Sequence, residues 1–206
     1  MRDGGRCREE QRESWDRFYS ENKRPWRGVG KLPGLEVSEG DRALDIGCGN
    51  GKTASALIQA GVSVTGIDFS PNAIHYCEQS FGDRAKFITC DSSSLPFPDS
   101  SFEIVTLVHV LEHLDDKQLS DTVSEVSRVL VPGGKVLVRA FEVSDMRAGG
   151  SDSNVRGNGI SYRYFTEEQI LSLFDGFEVI HSDTVSEKMR FGGVRVRVEA
   201  VLRKLS

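Results

Sequence analysis

Residues 45–51 read Asp-Ile-Gly-Cys-Gly-Asn-Gly. Glycines at alternate positions behind an acid let a backbone turn tightly and let a ligand approach it closely. Such a loop, leaving the carboxyl end of a parallel strand, is where open α/β sheets bind ligands. A dinucleotide site requires G-x-G-x-x-G; Gly47 and Gly49 fit, but Lys52 stands at the third glycine position. A phosphate-binding P-loop requires G-x-x-x-x-G-K-[ST]; Gly51-Lys52-Thr53 matches its end, but Ile46 stands where its first glycine belongs. A turn that binds nothing is a third reading. Two further acids, Asp68 and Asp91, each follow an apolar run. A single acid at such a place reads as a helix cap. Three at the ends of three successive strands weigh against that reading.

The second chemical feature is His109-Val-Leu-Glu112-His113. H-x-x-E-H is a zinc-protease signature, which needs both histidines on one face of a helix and a further ligand downstream. Here His109 directly follows a β-like run, and Asp115 and Asp116 close the segment before the next helix begins. No metal is therefore expected. Two readings remain: loop-packing histidines, or a base that takes a proton from an acceptor N–H or O–H near neutral pH. His109 and His113 are the candidate catalytic residues, and neither is assigned a base role on this basis.

The elements that must position these residues alternate. Strands are expected over 42–46, 62–68, 85–90, 102–108 and 135–141, and helices over 50–60, from Ser70-Pro71 onward, and over 117–130, where Pro132-Gly133-Gly134 ends the last of them. Ser70 is placed to cap its helix and Pro71 to fill the first helical position. Residues 102–108 have the continuous apolar character of a strand buried on both faces. After a helix over 166–174, with Thr166 as cap and Glu168 nearby, strands over 177–184 and 193–202 follow with no helix between them. The fold class is α/β: a doubly wound, mostly parallel seven-stranded sheet with an antiparallel C-terminal hairpin. The chain reads as a single domain over 1–206. Residues 1–40 form an N-terminal helical cap and connector, with a loose polar start and an aromatic face of Trp15, Phe18 and Tyr19. Residues 143–165 form a lid loop, with 144–158 as its long irregular part.

A fourth reading of the glycine loop fits without adjustment. Asp45-x-Gly47-x-Gly49-x-Gly51 resembles the acid-plus-three-glycine motif of class I S-adenosylmethionine-dependent methyltransferases, and most closely their small-molecule-type branch. The resemblance continues in order through Val64-Thr-Gly-Ile-Asp68-Phe-Ser-Pro, Cys90-Asp91-Ser92, Leu95-Pro96-Phe97, residues 102–114 and Leu130-Val-Pro-Gly-Gly134. It implies a Rossmann-like fold and S-adenosylmethionine as cofactor, with S-adenosylhomocysteine as product. By this resemblance Asp68 accepts from the ribose hydroxyls and Asp91 from the adenine amino group. The Ser92 N–H meets a ring nitrogen, and Phe69 packs on the adenine. Gly47, Cys48 and Gly49 bring backbone to the methionine portion, and Asp45 orients that tail. The Val108 carbonyl accepts from its ammonium, and Trp26 walls the cofactor. Tyr19, Tyr162 and Arg163 are the candidate substrate residues. Arg24, Arg147 and Arg156 lie in the two segments that close the pocket.

The bulk numbers fit this reading. A formal net charge of −5 marks no general nucleic-acid binder. The longest apolar stretch, residues 104–111, is far short of the roughly twenty residues a spanning helix needs. Cys7, Cys48, Cys77 and Cys90 form no CxxC pair, and no secretory leader is seen, which fits a reducing cytoplasm. Arg195 and Arg197 alternate with valines, the pattern of a solvated strand face, with an RNA-contacting stripe as the rival reading. The expected function is methyl transfer to a small-molecule acceptor. The rivals are methylation of RNA or protein, a non-catalytic S-adenosylmethionine-binding module, and a nicotinamide oxidoreductase.

Overall fold

A computed structural model describes residues 8–22, 25–190 and 192–205. Cys7, Arg24 and residues 1–7 lie outside the described residues; of the loose start expected over the first dozen residues, 8–12 are instead helical. In chain order the elements are α1 (Arg8–Glu21), β1 (Arg42–Ile46), α2 (Lys52–Gln59), β2 (Ser63–Asp68), α3 (Pro71–Phe81), β3 (Lys86–Thr89), β4 (Phe102–Val108), α4 (Asp116–Val129), β5 (Leu130–Phe141), β6 (Ser153–Val155), β7 (Ser161–Arg163), α5 (Glu167–Leu173), β8 (Phe177–Lys188) and β9 (Val194–Lys204). The main sheet has seven strands in the order β3-β2-β1-β4-β5-β9-β8. Its first five strands are parallel, and β9 runs antiparallel between β5 and β8. The order reverses between β1 and β4, so the loops leaving these two strands part in opposite directions. A crevice opens there, at the place where such sheets take ligands.

Apolar residues on both faces of the sheet explain its two helical layers. Ile104, Val105 and Leu107 of β4 are almost fully buried, as a central parallel strand requires. One core joins the sheet to α4 and α5 through Leu119, Val126, Val129, Ile170 and Phe174. The other includes Ala54, Leu57, Ile74 and Cys77 from α2 and α3. A third cluster lies at the carboxyl ends of the strands, where Trp15 and Tyr19 of α1 join Phe141, Ile160, Tyr162 and Tyr164.

Local signals set the helix starts. Ser70 accepts from the Ala73 N–H, with Pro71 in the first turn. Asp115 and Gln118 form a capping box on α4. Thr166 caps α5 as expected, but its reciprocal partner is Gln169 rather than Glu168, because the third helical position is Gln169. Pro132-Gly133-Gly134 does not end a helix. Helix α4 stops at Val129, and the three residues lie in β5, beside the register shift where Phe102 pairs with Leu130. The segment 144–158 is not wholly irregular: β6 pairs with β7 as a small antiparallel ribbon.

Candidate cofactor and acceptor site

The glycine loop is held from beneath by Asp45. Its carboxylate accepts from Thr106 Oγ1 of β4 at 2.6 Å and from the Ala54 N–H of α2 at 3.1 Å. Helix α2 has no side-chain cap of its own, so Asp45 takes up one of its unpaired first-turn N–H groups. The side chain is 1 % exposed, and burial pushes its pKa up to about 7 against the two hydrogen bonds. Asp45 thus ties together a strand end, the loop and a helix start.

Gly47 and Gly49 both have positive φ, at 64° and 53°. A Cβ on Gly47 would meet Val110 Cγ2 at 2.5 Å, and one on Gly49 would meet the Tyr19 hydroxyl at 2.5 Å. Both positions therefore require glycine for conformation and for space. The Cys48 side chain turns away into the core beside Cys77, so only its backbone is available to a ligand.

Asp68 ends β2. It accepts from the Gly49 N–H at 3.0 Å and the Ser70 N–H at 2.9 Å, and burial pushes its pKa up to about 6. Each oxygen takes one protein donor, which leaves acceptor capacity for a ligand. Phe69 lies next to it under α1, with the Arg12 guanidinium 6.0 Å from the ring centre. Asp91 follows β3 and accepts from the Ser93 N–H at 3.0 Å. The Ser92 hydroxyl bonds Thr122 of α4 at 2.9 Å, so a ligand would meet the backbone at this residue. Val108 is the last residue of β4.

Helix α1 covers this crevice. Asp16 accepts from Ser70 Oγ at 2.5 Å and from Asn72 Nδ2 at 2.8 Å, which fastens α1 to the start of α3. Trp15 stacks on Tyr19 at 5.8 Å, and Trp26 lies 5.9 Å from Tyr19 and reaches over Gly49. The Trp26 carbonyl accepts from Asn50 Nδ2 at 2.8 Å. Tyr19 therefore sits on the glycine loop rather than at a separate acceptor pocket, and burial together with Asp68 raises its pKa.

His109 follows β4 with φ of 60°, an uncommon backbone for this residue type and a frequent mark of a functional site. Its ring stacks on Phe141 at 4.3 Å, and its Nδ1 bonds Glu112 Oε1 at 2.8 Å. Glu112 is almost fully buried and also accepts from the Phe141 N–H at 2.9 Å, while its second oxygen has no hydrogen-bond partner. Burial pushes the Glu112 carboxyl up, but His109 and His113 beside it hold it below its usual value. Burial lowers the pKa of both histidines. Residues 111–113 form a 3-10 turn, so the two histidines do not share an α-helical face. His113 Nδ1 lies 2.9 Å from the Ser161 carbonyl, and its ring packs on Trp15 and Tyr162.

Tyr162 and Arg163 part company. In a strand successive side chains point to opposite faces. Tyr162 faces His113 and Phe141. Arg163 points the other way, to Asp116 at 2.8 Å and the Leu114 carbonyl at 3.2 Å. It lines a separate cavity of about 610 Å³ between α4 and α5, with Leu119, Phe165 and Gln169. The two candidate substrate residues thus face different sides. The solvated face expected for Arg195 and Arg197 is also corrected: the Arg197 side chain is 13 % exposed and pairs with Glu187, and Arg195 is half-buried near Phe141. Sequence reasoning left out Glu112, Thr106 and Phe141 as site residues. For Thr106 the signal was a lone polar residue inside an apolar strand, and for Glu112 its place three residues after His109.

The sheet order, the glycine loop under Asp45 and the acids at the end of β2 and after β3 are similar to those of class I S-adenosylmethionine-dependent methyltransferases, whose fold this chain has. Residues 44–138 match the family model described as "Methyltransferase domain". The 27-O-demethylrifamycin SV methyltransferase of Amycolatopsis mediterranei is 36 % identical over 60 % of this chain and 46 % of its own length. The tRNA N(3)-cytidine methyltransferase METTL6 of Rattus norvegicus is 28 % identical over 95 % of this chain and 80 % of its own. Among solved structures, a SAM-dependent methyltransferase from Methanosarcina mazei has a TM-score of 0.72 and 28 % identity, covering 82 % of this chain and 94 % of that one. The chain spans between a third and a half of the length of the first curated relatives it matches.

Proposed function

We propose that this chain binds S-adenosylmethionine and transfers its methyl group to a small-molecule acceptor. The observation that carries the reading is the Asp68 carboxylate at the end of β2, bonded to the Gly49 N–H of the glycine loop and retaining acceptor capacity. The residues fit the cofactor chemically. Asp68 accepts from the ribose hydroxyls, Phe69 packs on the adenine, and Asp91 with the Ser92 backbone reads its edge. Gly47, Cys48 and Gly49 present backbone to the methionine portion, the Val108 carbonyl accepts from its ammonium, and Trp26 walls it. When bound, the cofactor supplies a methyl group activated by its sulfonium. The protein then has to align the acceptor and exclude water. Trp15, Tyr19 and Tyr162 supply an enclosing aromatic wall. His109, oriented by Glu112, is placed to take a proton from an acceptor N–H or O–H, and His113 is the second candidate. In this reading residues 1–206 act as one domain, with 1–40 as cap and connector and 143–165 as the lid. The setting is cytoplasmic, in keeping with free Cys48, Cys77 and Cys90. Among the described residues no helix is long and apolar enough to cross a membrane.

A second reading, methylation of RNA, is favoured by one observation: the tRNA methyltransferase relative aligns over 95 % of this chain. The test is formation of S-adenosylhomocysteine from S-adenosylmethionine in a metabolite extract and, separately, with total tRNA. Turnover with metabolites alone supports the first reading, and turnover with tRNA alone the second. Cofactor binding without turnover in either refutes both and leaves a binding module.

A further inference from the structure

Phe141, the last residue of β5, has His109 stacked at 4.3 Å and the Arg147 guanidinium 3.8 Å from its ring centre. Two more guanidinium groups approach the same ring. Arg195 of β9 comes to 5.5 Å, and Arg156, from the turn between β6 and β7, to 5.8 Å. Arg156 also lies 3.3 Å from the ring centre of Tyr162. Three cations from three separate segments thus meet around one aromatic side chain.

Their counter-charges are unequal. Arg147 is answered by Asp145, at 2.7 and 3.1 Å. The neighbouring Arg139 and Arg197 are answered by Glu199 and Glu187, each within 3 Å. Among the described residues Arg195 and Arg156 have no ion pair, and Arg156 has one side-chain hydrogen bond, to the Tyr164 hydroxyl at 3.2 Å. The Nε atoms of both are buried without a partner, as are those of Arg139 and Arg197, so it is the missing ion pair that sets Arg195 and Arg156 apart. Burial and the nearby Arg147 and Arg197 lower the pKa of Arg195, and Lys52 is lowered by burial and by Arg139, Arg195 and Arg197. Stacking on Phe141 alone does not call for charge at these positions, since a neutral side chain would fill the space without like-charge repulsion.

We propose that Arg195 and Arg156 hold a carboxylate or phosphate of a small acceptor beside His109. A guanidinium fork matches either oxyanion in two-point hydrogen bonding. The proposal rests on the methyl-transfer reading and names the substrate class for that site. The formal charge of −5 on the whole chain favours a small anion over a polyanion.

The test uses the full chain saturated with S-adenosylhomocysteine at fixed ionic strength. Inorganic phosphate, benzoate and a cytidine oligoribonucleotide are titrated separately by calorimetry, into wild type, Arg195→Gln, Arg156→Gln and the surface control Arg203→Gln. Saturable binding of phosphate or benzoate is expected, weakened at least tenfold by Arg195→Gln and by Arg156→Gln and unchanged by Arg203→Gln, with S-adenosylhomocysteine affinity equal in all four proteins. Which of the two anions binds identifies the group. No saturable binding of either, or equal binding by all variants, overturns the proposal. So does oligoribonucleotide binding that depends on Arg195 and Arg156 while phosphate and benzoate do not bind. Failure of wild type to bind S-adenosylhomocysteine overturns the methyl-transfer reading itself, a result distinct from the others.

Discussion

Replacing Asp68 by alanine separates two roles of one carboxylate. The side chain accepts from the Gly49 and Ser70 N–H groups at 3.0 and 2.9 Å. Its removal leaves two buried donors without a partner, which destabilises the fold by about 1–3 kcal/mol each. A second effect opposes this. Burial raises the carboxyl from 3.8 to about 6, so the ionised form is disfavoured in the folded chain. At about 1.4 kcal/mol per pH unit, that penalty is roughly 3 kcal/mol at pH 8, and the alanine variant is free of it. The sign follows from a folded pKa above the unfolded one. The penalty is fully present above pH 6 and fades as the pH falls toward 3.8. At pH 5 wild type has regained about 1 kcal/mol, so Asp68→Ala is more destabilising at pH 5 than at pH 8 by that amount. Urea unfolding of both proteins at the two pH values measures the difference. Calorimetry with S-adenosylmethionine at pH 8 reads the other role. Loss of the ribose hydrogen bonds is expected to weaken binding about tenfold or more. A variant less destabilised at pH 5 than at pH 8 would show that the fold stabilises Asp68 as an ion. Unchanged cofactor affinity would place the ribose on another group.

Two further outcomes follow from the same geometry. Both tryptophans, Trp15 and Trp26, lie against Tyr19 over the glycine loop, so cofactor binding is expected to change intrinsic fluorescence. Removal of residues 1–27 should then speed cofactor release about tenfold or more while the far-ultraviolet circular dichroism stays that of an α/β fold; an unchanged release rate would refute a covering role for α1. In nuclear magnetic resonance titration, the midpoints of His109 and His113 are expected below the usual 6.5, because both are buried. Glu112→Gln should lower the His109 midpoint further by removing the carboxylate at 2.8 Å, and a rise would refute the pairing. These lowered values also mean that both histidines favour the folded state above pH 6.5, a contribution lost as the pH falls from 6.5 through their lowered folded values.

Much of the scaffold was legible from neighbouring residues. The bounds of β1 and β4 coincide with the apolar runs over 42–46 and 102–108, and Ser70, Pro71 and Thr166 start helices where they were placed. Each depends on side-chain periodicity or a cap within three or four residues, which are local causes. The glycine loop and the acids at 45, 68 and 91 were legible for the same reason, since each lies at or within two residues of the end of its own strand. Where the chain lacks a local cause the reading slipped: Pro132-Gly133-Gly134 looks like a helix stop, yet the long-range pairing of Phe102 with Leu130 draws it into β5.

The sidedness and convergence of the site were decided by tertiary structure. Tyr162 and Arg163 are adjacent in sequence, but pairing of β7 with β6 sends one to His113 and the other to Asp116. Arg195 meets Arg147 and Phe141 because β9 inserts beside β5, with Phe141 opposite Arg197 in the register. Helix α1 is fastened beside the glycine loop by the Asp16 link to Ser70 and Asn72, far along the chain. Sequence alone determined which strand ends carry acids and glycines, because periodicity and capping are settled within a few residues. Which side chains share a pocket was set by strand order and register, which depend on burying the whole sheet at once.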